Sequence, residues 1–206
     1  MAISLASLRT TLVLQPPRIL IHGVAGVGKS TFAADAGAPV FIMTEDGLGK
    51  LQVPHFPLAT SYAEVAEALD ALLEEDHGYG TVVVDSVDWL EPLIWAEACK
   101  RNGWQSIETP GFGKGYAEAL TIWREYLDKL NALRDRKGMV LFANYQISVA
   151  KSDVGFNKKV TRALGSGARV MHTEERPAFL AKNRYGLPDT LPLEWSEFLA
   201  AMPQPE

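Results

Sequence analysis

Residues Gly23-Val24-Ala25-Gly26-Val27-Gly28-Lys29-Ser30 match the pattern G-x-x-x-x-G-K-[ST] in full, directly after the apolar run Arg18-Ile19-Leu20-Ile21-His22. No other stretch constrains the fold as tightly. The pattern requires a strand that aims the loop, glycines that let the backbone bend around an anion, and a helix that follows. Pro16-Pro17 marks the entry to the strand, and an Ala-rich stretch from about Lys29 to Gly37 supplies the helix. In such a loop the backbone N–H groups face phosphates, Lys29 reaches the β and γ phosphates, and Ser30 ligates Mg²⁺. The expected nucleotide-binding residues are therefore Gly23, Val24, Ala25, Gly26, Val27, Gly28, Lys29, Ser30 and Thr31, with ATP and Mg²⁺ as cofactors.

Downstream, strand and helix signals alternate. Val40–Thr44 reads as a second strand that runs straight into Glu45 and Asp46. Ser61 to Asp76 has helical spacing, with Val65, Leu69 and Leu72 on one face and Ser61 with Glu64 as a capping box. Thr81–Asp85 is a continuous β-branched run, the kind buried on both faces of a parallel sheet. Val87–Asn102 and Tyr116–Arg136 read as helices, and Met139–Tyr145 as a fourth strand. Short extended pieces then follow, Arg169–Thr173 and Phe179–Asn183, separated by Gly-rich turns. This order predicts an α/β fold: a mainly parallel sheet flanked by helices, with an antiparallel edge extension. One domain is expected over 1–206, with an N-terminal segment at 1–16 and flexible basic loops at 148–170.

Cys99 is the only cysteine, which excludes an internal disulfide and suits a reducing compartment. The opening MAISLASLRT lacks the apolar core of a signal peptide, and no apolar run is long enough to cross a bilayer. The expectation is a cytoplasmic protein without a membrane partner. The net charge of −5 is unevenly spread. Residues 134–184 carry 11 Lys and Arg against 4 Asp and Glu, whereas the rest carries 9 against 21. That basic segment suits either a polyanion or a solvated face.

Asp85, ending the Thr81–Asp85 strand, is placed to hold Mg²⁺, although Asp85 or Ser86 could instead cap the next helix. Hydrolysis further needs a group that orients or deprotonates the attacking water. The residue after Asp85 is Ser86, so no acid stands beside the metal aspartate. Glu45, at the end of the strand that follows the phosphate-loop helix, would lie beside the nucleotide crevice. Asp46 reads as a loop acid, and a solvated loop is the alternative for both.

Together, "PVFIMTEDGL" and "TVVVDSVDWL" resemble the RecA-like recombinase branch of P-loop ATPases. More closely, "IHGVAGVGKSTFAADA", "TEDGL", "DSVDWLEPLIW", "GFGKGY" and "LAKNRYGLP" resemble phage-encoded RecA-like ATPases, including single-strand-annealing recombinases. The resemblance spans nearly the whole chain. It implies a RecA-like P-loop fold, with Glu45 as the catalytic glutamate. It casts Lys182 and Arg184 as fingers reaching the γ-phosphate of an adjacent subunit, which requires a homo-oligomer. By their residues alone, these two bases at i and i+2 of a strand equally suit an edge that deters pairing. The resemblance also implies single-stranded DNA as partner, a phage single-strand-binding protein as a further one, and the cytoplasm of a bacterial host.

Gly111-Phe112-Gly113-Lys114-Gly115-Tyr116 suits base stacking and phosphate contact, or else a helix entry with Phe112 and Tyr116 in the core. The basic stretches 151–159 and 162–169 suit DNA contact or a solvated hairpin. Trp89, Trp95, Trp104 and Trp123 fall at helical spacings and read as core. The chain departs from the family where "RDRKGM" runs directly into "VLFANYQISV": one strand stands where relatives have two. Asn144 or Gln146 would be the γ-phosphate sensor, or this is the later strand and the sensor is missing. Two rival functions follow, a non-hydrolysing nucleotide-dependent DNA-binding module and a small-molecule phosphotransferase. For the latter, the segment between the second and third strands offers only Lys50 as a phosphate-binding base.

Overall fold

The computed structural model describes residues 15–138, 140–146, 169–175 and 181–203. Four strands form one all-parallel sheet: β1 (Arg18–Gly23), β2 (Pro39–Met43), β3 (Thr81–Asp85) and β4 (Val140–Gln146). Their spatial order is β1-β4-β3-β2, so β4 is inserted between the phosphate-loop strand and the strand ending in Asp85. The helices are α1 (Lys29–Ala34), α2 (Tyr62–Glu74), α3 (Val87–Asn102) and α4 (Lys114–Lys137).

Alternation along the central strands divides the core into two layers. Val40, Ile42, Val82 and Val84 face α2, α3 and α4, packing with Val65, Leu69, Leu90, Ile94, Ile122 and Leu133. Phe41, Met43 and Val83 point the other way, toward Phe32 and Ala33 of α1. Every residue of β3 is buried, as its uninterrupted β-branched run predicts. Helix α2 begins with the expected capping box: Glu64 N–H donates to Ser61 Oγ, and the Glu64 carboxylate accepts the Ser61 N–H.

Beyond β4, the chain forms β5 (Val170–His172), β6 (Thr190–Pro192) and the short helix α5 (Trp195–Ala201). Among the described residues, β5 and β6 pair antiparallel as a separate two-stranded sheet, not as an edge of the parallel one. Trp195 and Phe198 of α5 meet Phe32 edge-on at 5.5 and 5.9 Å, so the C-terminal part clamps the phosphate-loop helix. At the far edge, residues 54–59 run along β2. Phe41 N–H donates to Pro54 O, and Phe56 N–H and Ala59 N–H donate back to Phe41 O and Met43 O. Edge β2 is thereby covered.

Three expectations need correction. The expected strand Phe179–Asn183 is not a strand over its described residues, 181–183. There the Asn183 side chain captures the backbone, with Oδ1 accepting from Tyr185 N–H and Leu187 N–H while Nδ2 donates to Leu187 O. The chain curls around that side chain, and Gly186 takes φ 66° within the curl. Trp89 is exposed, not core, while Trp95, Trp104 and Trp123 are half-buried. Gly113 does lead into α4, but Phe112 is fully exposed at its tip. The 1–16 segment up to residue 14, and the basic loops at 148–170 apart from Arg169 and Val170, lie outside the described residues.

Candidate functional site

The site lies at the carboxyl ends of β1, β2 and β3, where an open parallel sheet forms its crevice. β1 delivers the loop Gly23–Gly28, with Val24, Ala25 and Gly26 exposed. Gly26 and Gly28 have φ 76° and 107°, which residues with a Cβ rarely adopt, so the turn depends on glycine. Lys29 is 7% exposed, and its Nζ donates to the Gly23 and Val24 carbonyls at 3.0 and 3.3 Å. The ammonium thus lies across the mouth of its own loop.

Ser30 Oγ donates to Asp85 Oδ2 at 2.7 Å, joining α1 to the end of β3. Asp85 is 2% exposed. Ser86 is the α3 N-cap residue, but its side chain makes no cap hydrogen bond. These two hard oxygen donors in contact are of the type that could hold a divalent cation such as Mg²⁺. Among the described residues, no cluster of three His, Cys, Asp or Glu could hold a metal alone.

Just beyond β2 stands Thr44, a residue the sequence reading did not single out. Its N–H donates to Asp85 O at 2.9 Å, its Oγ1 donates to Ser86 O at 2.5 Å, and Ser86 N–H donates to Oγ1 at 2.9 Å. Glu45 follows directly and is held beside Asp85, Ser86 and Asp88. Burial raises the Glu45 pKa above its ordinary value. The Ser86 hydroxyl opposes this, Asp85 and Asp88 add to it, and Lys29 pulls it down. Ser86 Oγ is buried, yet among the described residues no partner lies within hydrogen-bond length. Its influence on Glu45 is that of a nearby dipole and not of a formed bond. Asp46 is exposed, as expected of a loop acid.

Register places the two sensor candidates. Asn144 pairs with Asp85 on one side and Ile21 on the other, and Gln146 pairs with Gly23. The strand "VLFANYQ" therefore lies between β1, which leads into the Gly23–Gly28 loop, and β3, which ends in Asp85. Lys182 and Arg184 are exposed and line one cleft with Gly23, Val24 and Lys29 of the same chain. Thr31 is exposed on the first turn of α1.

Residues 15–153 match a family model described as an AAA domain. No curated protein matches the chain.

Proposed function

The chain belongs to this AAA domain family of P-loop, nucleotide-binding ATPases, and we propose that it is an Mg-ATP-dependent ATPase acting on single-stranded DNA in phage recombination or annealing. The observation that carries the ATPase reading is the convergence of Lys29, the Ser30–Asp85 pair and Glu45 at one end of the sheet.

In this reading Lys29 leaves the Gly23 and Val24 carbonyls for the β and γ phosphates, and Ser30 with Asp85 hold the cation. Mg²⁺, when bound, offsets phosphate charge and favours departure of ADP. Glu45 orients a water toward the γ-phosphorus and receives its proton. The new P–O bond forms as the bond to the β,γ-bridging oxygen breaks, releasing ADP and phosphate. A carboxylate made more basic by burial is a better proton acceptor near neutral pH. In this reading Asn144 or Gln146 of β4, which lies between β1 and β3, serves as the sensor, and turnover is preferred to a non-hydrolysing module.

The DNA reading is supported by the likeness to annealing recombinases and by the basic balance of residues 134–184. The assembled form is a homo-oligomer in which Lys182 and Arg184 complete a neighbour's site. A phage single-strand-binding protein is a further partner, and the setting is the bacterial cytoplasm. Among the described residues, no helix is long and apolar enough to cross a membrane. The test is ATP turnover with and without single-stranded DNA. Stimulation by DNA supports the reading. Turnover indifferent to DNA, with no retention of labelled oligonucleotide, rejects the DNA role.

A further inference from the structure

Gly28 is not only a turn residue. A Cβ built there would lie 2.8 Å from Arg169 Nη1, 3.6 Å from its Cδ and 3.7 Å from its Cζ. The guanidinium of a residue 141 positions downstream in the sequence therefore rests on the phosphate loop, one residue before Lys29. Arg169 is exposed, and among the described residues no carboxylate pairs with it.

Its position is built, not incidental. Leu193 N–H donates to Arg169 O at 2.9 Å, tying it to the chain just beyond β6. Leu193 and Met171 pack against the cluster of Phe32, Trp195 and Phe198. The same clamp that seats α1 thus seats Arg169 over the loop at the head of α1.

Two cations, Lys29 and Arg169, converge on one short loop. Without an anion between them they repel, and Lys29 is occupied by loop carbonyls. The geometry points to Arg169 as a phosphate ligand acting within its own subunit, where it favours the triphosphate over the diphosphate. A guanidinium offers a planar fork of donors to a phosphate's oxygens, which a lysine does not. This role rests on the phosphate-loop reading and is separate from that proposed for Lys182 and Arg184.

The test is calorimetric titration of Arg169→Ala, Arg169→Lys and Lys29→Ala with Mg-ATP and Mg-ADP, alongside the melting temperature of each free protein. Arg169→Ala should weaken ATP by about tenfold to a hundredfold and ADP far less. Arg169→Lys should recover part of the difference, and the free Arg169→Ala protein should melt close to wild type. An unchanged ATP-to-ADP ratio overturns the inference. So does an equal loss of both nucleotides with a lowered melting temperature, which marks a purely structural contact, or tighter ATP binding, which marks a plug. Lys29→Ala separates the two levels. If it abolishes binding while Arg169→Ala changes nothing, the Arg169 role alone fails. If it binds ATP as wild type does, the phosphate-loop reading fails and takes this inference with it.

Discussion

The Thr44 hydroxyl both donates to and accepts from the backbone of Ser86, at 2.5 and 2.9 Å, and this two-way bond locks the ends of β2 and β3 together. It sets how far Glu45 stands from Asp85. Thr44→Val keeps the shape but removes the hydroxyl, leaving the buried Ser86 N–H without its partner, while Ser86 O keeps the bond from Leu90 N–H. The expected cost is about 1–3 kcal/mol in chemical denaturation. ATP turnover should fall further than this loss of folded protein explains, while Thr44→Ser retains both.

Glu45 should make stability depend on pH in a defined direction. Its folded pKa lies above the 4.5 of the unfolded chain, chiefly through burial, so the native state holds the proton more tightly. Its stabilising contribution is full below the unfolded value and is lost as pH rises through the folded one. Glu45→Gln has no such loss. The melting temperature of the variant should exceed that of wild type near neutral pH, and the gap should close as pH falls toward 4. A gap that widens on acidification would mean that Glu45 is held as a favourable carboxylate.

Gly115 is required by packing. A Cβ there would lie 1.9 Å from the Ile107 carbonyl oxygen, so the first turn of α4 touches the backbone of the preceding loop. Gly115→Ala should destabilise the protein by several kcal/mol, despite the better helix propensity of alanine. Gly113→Ala, where nothing lies within 4 Å, should suffer only from its φ of 72°. Thermal melts of the two variants rank the effects.

This glycine shows where the sequence was legible and where it was not. The phosphate loop, β3 and the capped start of α2 announce themselves locally, through glycine spacing, a β-branched run and a Ser–Glu pair. The reason for Gly115 is a contact with Ile107, which no local pattern records. β6 and α5 escaped notice because three and seven residues carry too little periodicity. Their stability comes from partners far away in the sequence: Phe32 for α5 and the pairing strand β5 for β6. At Lys182 and Arg184 an alternating pattern suggested a strand, but the Asn183 side chain draws the backbone into a curl. Arg169 gave no sign of its place at Gly28, since only the fold brings them together.

Subunit mixing tests the basic pair. Arg184→Ala subunits should bind ATP yet not hydrolyse it, and mixing them with Glu45→Gln subunits should restore part of the activity. Only a mixed oligomer has an intact Glu45 facing an intact Arg184. Because both bases line a cleft with Lys29 of their own chain, the opposite outcome is equally informative. Absence of complementation, with turnover per subunit independent of protein concentration, would place their action within one subunit.

The most direct test of the whole site is Glu45→Gln, with Mg-ATP binding and single-turnover hydrolysis measured on the same preparation. The substitution preserves size and hydrogen bonding and removes only the charge that accepts the proton. Binding should stay within about threefold of wild type while hydrolysis falls by about 10² or more. Hydrolysis at the wild-type rate would contradict the assignment and return Glu45 to the status of a loop acid.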